Sequence, residues 1–81
     1  MKTEDIDMLR SGIAEILEED VEAIQESVHL HKDLGADSFA LLEIMFFIEK
    51  TFKAGIPPEC LPRMTSLTNI IQLIDERLQT A

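Results

Sequence analysis

Apolar residues recur every three or four positions in three stretches of the chain, which is the spacing of one face of an α-helix. The stretches cover residues 3–18, 38–52 and 66–78. Strand signals are missing, since no stretch alternates apolar and polar residues and Tyr and Trp are absent. Residues 58–63 begin with proline, which is tolerated at the first helical position, and Pro62 limits them to a single turn. The pattern predicts an all-α fold: a small four-helix bundle with three main helices and one short helix.

A long polar connection, residues 19–37, separates the first two predicted helices. A connection of this length without clear periodicity is unusual and often functional. Spaced apolar residues are expected to anchor it to the core: Val21, Ile24, Val28, Leu30 and Leu34.

Residues suited to starting and ending helices flank each predicted helix. Thr3 is expected to cap the first helix, Asp37 or Ser38 the second, and Thr65 or Ser66 the third. Gly35 gives the chain freedom to turn sharply before the second helix. Gly55 and the following prolines are expected to end that helix.

The second predicted helix carries two apolar faces. One is the predicted core face: Leu41, Ile44, Met45, Ile48 and Phe52. The other is a stripe of three residues with acids at its border: Phe39, Leu42 and Phe46, with Glu43 and Glu49 beside them. The stripe could pack under the long connection or against the short helix. Alternatively, it forms an exposed apolar patch rimmed by acids, as partner-binding surfaces do.

Length and charge narrow the function classes. The 81 residues, 9.2 kDa, allow one domain spanning residues 1–81 and leave little room for a deep substrate pocket. We therefore expect no enzymatic activity of its own. The net charge of −9 argues against nucleic acid and anionic membranes and favours partners that present Lys and Arg.

The location is expected to be cytoplasmic. No apolar run approaches the ~20 residues of a membrane helix. The acidic N-terminus does not suit a signal peptide. Cys60 is the single cysteine, which fits a reducing compartment, and the chain is expected to be monomeric.

The residues that could act in catalysis lack the neighbouring functional groups that catalysis needs. His29 and His31 are the only histidines, too few ligands for a zinc site, so no metal is expected. Ser38 has no nucleophile elbow around it. Cys60 has no nearby base and is expected to be a half-buried small apolar residue.

Ser38 is more informative as a substrate for another enzyme. It lies where a loop meets a helix start, directly after Asp37. A side chain there is exposed and held by rigid structure. The free amides and dipole of a helix N-terminus also favour an added phosphate.

Residues 33–38, Asp-Leu-Gly-Ala-Asp-Ser, resemble the signature of acyl carrier proteins. Further positions fall at the family's characteristic distances from the serine: Glu43, Phe52, Ile56, Pro57 and Thr65. The resemblance implies that Ser38 carries a 4′-phosphopantetheine arm, whose thiol holds acyl groups as thioesters. It also implies that Asp37 orients Ser38 and engages the modifying phosphopantetheinyl transferase, or holo-carrier-protein synthase. The second helix would then be read by acyl-loading and acyl-processing enzymes such as ketosynthases or acyltransferases. From the position of the second apolar stripe, the residues expected to contact these partners are Phe39, Leu42, Glu43, Phe46 and Glu49.

Three departures from the family pattern point to a specialised carrier. Phe39 and Ala40 follow the serine where Leu and often an acid are usual, the second helix is formally neutral, and Phe46 and Phe47 are bulky. The expected pathways are fatty acid, polyketide or specialised lipid biosynthesis. Two alternatives remain: an aminoacyl or peptidyl carrier modified at Ser38, and an unmodified acidic helical interaction domain.

Overall fold

The computed structural model describes residues 2–80, with side chains described through residue 78. It contains three α-helices: α1 (Thr3–Leu17), α2 (Ser38–Phe52) and α3 (Leu67–Thr80). Two 3₁₀ helices lie between them: Val21–Ala23 and Pro58–Arg63. Within residues 2–80 there is no strand. The predicted all-α bundle of three main helices and one short helix is therefore confirmed. No helix in the described range combines the length and apolar character that crossing a membrane requires.

The start of α1 differs from the prediction. Lys2 is the N-cap residue and Thr3 is the first helical residue, so the assignment of Thr3 as the cap is wrong. The backbone N–H of Lys2 donates to Asp5 Oδ2 at 3.3 Å. This contact holds a carboxylate in the first turn, where the helix dipole favours negative charge. The helix ends at Leu17 and is followed by Glu18, whose φ of 57° lies in the left-handed region.

The long connection between α1 and α2 is tied to the start of α3 by hydrogen bonds. The Leu30 N–H donates to the Thr65 carbonyl at 2.8 Å. Thr68 donates to the Glu26 carbonyl from its N–H at 3.2 Å and from its hydroxyl at 3.0 Å. The connection is thus a fixed part of the fold, although it contains only one turn of regular structure.

Four of the five predicted anchors lie against the protein. Ile24 and Leu30 are fully buried, and Val28 and Leu34 are half-buried. Val21 is 44% exposed, so its assignment as an anchor is wrong. It begins the 3₁₀ turn Val21–Ala23, and that turn delivers Ile24 to the core while leaving its first residue in solvent.

The bounds of α2 match the prediction, but its end has a different cause. Asp37 is the N-cap residue, and its Oδ1 accepts the Ala40 N–H at 2.8 Å. At the other end Lys53 adopts φ 58° and terminates the helix two residues before Gly55. A left-handed residue after the last turn is the usual way to stop a helix, and here a lysine rather than a glycine takes that conformation.

The core lies where the three α-helices meet. Its largest helical members are fully or almost fully buried: Leu9, Ile13, Ile44, Met45, Ile48, Leu67, Ile70, Leu73 and Ile74. Leu41 and Phe52, predicted for the core face of α2, are only half-buried. Leu78, near the end of α3, is 46% exposed.

The second 3₁₀ helix, Pro58–Arg63, lies in the connection between α2 and α3. It contains Pro62 within its six residues, so this proline does not limit it to a single turn. Cys60 is half-buried against the core, as predicted for a small apolar residue. Arg63 joins the segment to α3 through two hydrogen bonds to Glu76, Nη1 to Oε1 at 3.3 Å and Nη2 to Oε2 at 2.8 Å. Ser66 caps α3 by accepting the Asn69 N–H at 3.2 Å.

Candidate functional site

Ser38 is the first residue of α2 and is exposed. Its hydroxyl has no hydrogen-bond partner among residues 2–78, whose side chains the structure describes. The amide N–H groups of Ser38 and Phe39 belong to the first turn and have no partner within the helix. The Asp37 carboxylate takes the third amide, that of Ala40. A free hydroxyl therefore stands beside free amides at the positive end of a helix.

The segment before Ser38 is a hydrogen-bonded turn built on one left-handed glycine. Gly35 has φ 73°, and its N–H donates to the His31 carbonyl at 2.9 Å. The Ala36 N–H donates to the Leu30 carbonyl at 2.9 Å, and both of these residues are buried. The turn therefore fixes the direction from which the chain enters α2. A side chain at Gly35 would meet nothing within 4 Å, so the glycine is required for its backbone conformation rather than for space.

The two histidines make local contacts in this turn. His29 Nδ1 accepts the Lys32 N–H at 3.0 Å. His31 Nδ1 lies 2.8 Å from the Ala36 carbonyl oxygen. Within residues 2–80, no group of three or more His, Cys, Asp or Glu side chains is placed to hold a metal ion.

A phosphodiester on Ser38 fits this site chemically. Its negative charge would lie beside the unpaired amides of the first turn, which bind anions. The hydroxyl is exposed and engaged by no described residue, so an added group would displace no hydrogen bond of the fold. Asp37 keeps its carboxylate on the Ala40 N–H, where it stabilises the helix start at a capping position.

The second apolar stripe of α2 is largely in solvent. Phe39 is 70% exposed and Phe46 is 65% exposed. The interpretation that the stripe packs under the connection or against the short helix is wrong for these two residues. Leu42 is half-buried and packs against the core. Glu43 and Glu49 are exposed beside them, so the predicted site residues of α2 share one accessible side of the helix.

Phe47 contributes a feature that the sequence interpretation missed. Its ring lies against Gly12 of α1 and is edge-on to Phe52, with the ring centres 6.5 Å apart. Beside it a groove of about 590 Å³ runs between α1 and α2. The groove is lined by residues of both helices: Gly12, Glu15, Ile16, Glu18, Glu43, Phe46, Phe47 and Lys50. A glycine within an otherwise regular helical pattern was the available signal, because such a residue often marks a close packing contact.

The chain is similar to a known protein family and to individual proteins. A family model described as "Phosphopantetheine attachment site" matches residues 7–76. An acyl carrier protein from Helicobacter pylori is 30% identical over 68 residues, which are 84% of this chain and 87% of that protein. One from Phenylobacterium zucineum is 29% identical over 73 residues, 90% of this chain and 92% of that protein. One from Campylobacter curvus is 29% identical over 70 residues, 86% and 91% of the two chains.

Proposed function

Because the chain belongs to the acyl carrier protein family, whose cofactor is 4′-phosphopantetheine, we propose that Ser38 is the residue that carries this group. The observation that supports Ser38 most directly is its exposed hydroxyl, which has no hydrogen-bond partner among the described residues and lies at the first position of α2, directly after the capping Asp37. When bound, the group supplies a flexible arm whose terminal thiol carries acyl groups as thioesters.

The attachment step uses the Ser38 hydroxyl as the nucleophile towards coenzyme A. The Ser38 oxygen forms a bond to the phosphorus that bears the pantetheine, and the bond between that phosphorus and the bridging pyrophosphate oxygen breaks. Adenosine 3′,5′-bisphosphate leaves with the electron pair, and the hydroxyl proton passes to a base of the transferase. In this step the chain provides a rigid, exposed hydroxyl beside amides that favour the new negative charge.

Asp37 has two roles in the proposal. Its Oδ1 holds the Ala40 N–H, so it fixes the first turn and thereby the direction of the Ser38 side chain. Asp37 is itself exposed, so the transferase can contact it while it caps the helix.

The exposed side of α2 is the proposed surface for partner enzymes. It comprises Phe39, Leu42, Glu43, Phe46 and Glu49. The carboxylates of Glu43 and Glu49 are balanced by the exposed Lys50 and Lys53, so apolar contact should matter more here than charge. Large apolar side chains in solvent next to the attachment site are typical of protein interfaces. Dedicated ketosynthases or acyltransferases of a specialised lipid, fatty acid or polyketide pathway are the proposed partners.

Intact-mass analysis tests the assignment of Ser38. The purified protein incubated with coenzyme A and a broad-specificity phosphopantetheinyl transferase should gain the mass of one phosphopantetheine. Ser38→Ala should gain none. Ser11→Ala, which alters an exposed serine on α1, is the matched control and should gain the full mass. Modification of the Ser38→Ala variant would contradict the assignment.

The cargo class can be tested on the same modified protein. Loading by acyl-activating enzymes but not by amino-acid-activating enzymes is expected. Efficient loading with amino acids alone would support the aminoacyl or peptidyl carrier instead. An unmodified wild type in the mass experiment would support the unmodified interaction domain.

A further inference from the structure

His31 contacts the peptide unit that leads into the attachment site. Its Nδ1 lies 2.8 Å from the Ala36 carbonyl oxygen, two residues before Ser38. A carbonyl oxygen only accepts hydrogen bonds, so the proton in this contact must be on His31 Nδ1. The same Ala36 carbonyl belongs to the peptide whose N–H is that of Asp37. The imidazole therefore holds the plane of the peptide from which Asp37 emerges.

The other side of Ala36 is also fixed. Its N–H donates to the Leu30 carbonyl at 2.9 Å, and its side chain is only 2% exposed. The neighbouring Gly35 is in the left-handed region and is the one residue of this turn with an unusual φ. Because glycine adds backbone freedom at this point, the contact from the His31 side chain to the next residue, Ala36, restricts the backbone beside Gly35.

His29 shows that the arrangement of His31 is specific. Its Nδ1 accepts the Lys32 N–H at 3.0 Å, so this nitrogen carries no proton. The two histidines, two residues apart in one turn, thus use Nδ1 in opposite ways. The His29 side chain stabilises the turn at Lys32, four residues before Ala36. His31 instead bonds directly to the peptide that joins Ala36 to Asp37.

We propose that His31 is a positioning residue for modification of Ser38, acting through the Ala36 carbonyl to hold Asp37 and Ser38 in the geometry that the transferase requires. This inference rests on the proposed function. The described hydrogen bond of the His31 side chain is to Ala36 and not to Ser38, so its effect is on the fraction of molecules whose Ser38 is correctly presented. Loss of one hydrogen bond from an exposed ring should lower kcat/KM for modification by roughly two- to tenfold.

The test compares three substitutions at this position in the full chain. His31→Ala removes the donor and should slow modification by that factor. His31→Asn should restore most of the rate, because the asparagine Nδ2 occupies the place of the histidine Nδ1 relative to the backbone. His31→Gln places its donor one bond further out and should remain slow. His29→Ala is the matched control and should be modified at the rate of the wild type.

The readouts are kcat/KM for transfer from coenzyme A and the melting temperature of each variant, with rates measured well below melting. Nitrogen-15 NMR of the wild type in mildly alkaline buffer should show opposite neutral tautomers, with the proton on Nδ1 in His31 and on Nε2 in His29. Unchanged kcat/KM in His31→Ala, equal rates for the Asn and Ala variants, or an Nε2–H tautomer at His31 would overturn the inference. Failure of the wild type to be modified would instead remove the proposed function on which it rests.

Discussion

The ring of Phe47 on α2 occupies the space where a side chain at Gly12 of α1 would begin. The contact sets how closely the two helices approach, and both residues line the groove between the helices. Gly12 has an ordinary helical backbone. A glycine is therefore needed here because a side chain would not fit beside Phe47, and not for its backbone conformation.

Gly12→Ala should therefore destabilise the protein. The exchange gains about 1 kcal/mol of helix propensity, but it drives a methyl group into the Phe47 ring, and overpacking of this kind costs about 1–3 kcal/mol. We expect a net loss of about 1 kcal/mol in the free energy of unfolding, measured by urea denaturation. Ser11→Ala, one residue away and exposed, should change stability by less than about 0.5 kcal/mol.

A double-mutant cycle identifies the cause. Adding Phe47→Leu to Gly12→Ala should recover part of the loss, because the smaller side chain leaves room for the methyl group. Purely additive effects of the two substitutions would show that the ring does not oppose a side chain at residue 12.

Ile13→Ala should cost about 2–4 kcal/mol, because Ile13 is fully buried in the core face of α1. Reversing the charge of the exposed Glu19 should change the free energy of unfolding by less than about 0.5 kcal/mol. Chemical denaturation of both variants checks the pair. An unchanged free energy of unfolding in Ile13→Ala would mean that α1 presents its other face to the core.

Phe46→Ala should leave the fold intact and weaken transfer to a partner enzyme. The side chain is 65% exposed, so its removal should change stability by less than about 0.5 kcal/mol. Aromatic residues near the centre of an interface typically contribute at least ~2 kcal/mol to binding, which predicts a large fall in kcat/KM with an acyltransferase that accepts the loaded protein. Glu49→Lys should have only a modest, salt-sensitive effect.

The same Phe46→Ala sample tests whether the exposed Phe46 acts in partner binding or in the stability of the fold. A melting temperature lowered by several degrees, with unchanged transfer kinetics below melting, would assign Phe46 to the fold and remove it from the partner surface. Ile48→Ala, which truncates a fully buried residue of the same helix, shows what a core loss looks like in this protein.

The ion pair between Arg63 and Glu76 predicts a dependence of stability on pH. The hydrogen bond between Glu76 and Arg63 lowers the pKa of the Glu76 carboxyl below its ordinary value of 4.5. The same hydrogen bond raises the pKa of Arg63. A carboxyl whose pKa is lowered by folding contributes stability above pH 4.5, and this contribution is lost as the pH falls through the lowered value. Both side chains are about half exposed, so the contribution is small.

Melting temperatures of the wild type and Glu76→Gln, compared from neutral to acidic pH, measure this contribution. The wild type should be the more stable at neutral pH, and the difference should vanish at acid pH. Glu22→Gln, an exposed change in the first 3₁₀ helix, should track the wild type. A difference between Glu76→Gln and the wild type that does not change with pH would contradict the expected role of the ion pair.

The sequence predicted best those features that depend on neighbouring residues. Local chemistry predicted Asp37 or Ser38 as the cap and Ser38 as the start of α2; the structure has Asp37 as the cap and α2 starts at Ser38. The acyl carrier protein resemblance carried by the same segment is confirmed by the family match over residues 7–76. The assignment of Ser38 as the attachment residue stays a prediction that the mass experiment tests.

Features set by contacts between distant residues were harder to predict. Phe47 was placed on neither apolar face of α2, because its partner Gly12 lies on another helix and leaves no periodic signal. Val21 looked like its buried neighbours, but the single 3₁₀ turn around it rotates it into solvent. Lys53 ends α2 in the left-handed conformation, whereas residue type alone predicted that Gly55 would end the helix. In each case the position of the residue in the fold depends on tertiary packing or on one backbone angle.

The two exposed phenylalanines of α2 also bear on how copies of the protein behave towards one another in concentrated solution. Phe39 and Phe46 would attract similar surfaces, yet every copy carries a net charge of −9, which keeps the copies apart. Salt shortens the range of that repulsion from about 30 Å at 0.01 M to about 3 Å at 1 M, while it leaves apolar attraction in place. The second virial coefficient measured by light scattering should thus fall from clearly positive towards zero as salt is added, and a Phe39→Ser, Phe46→Ser variant should remain more repulsive at every salt concentration.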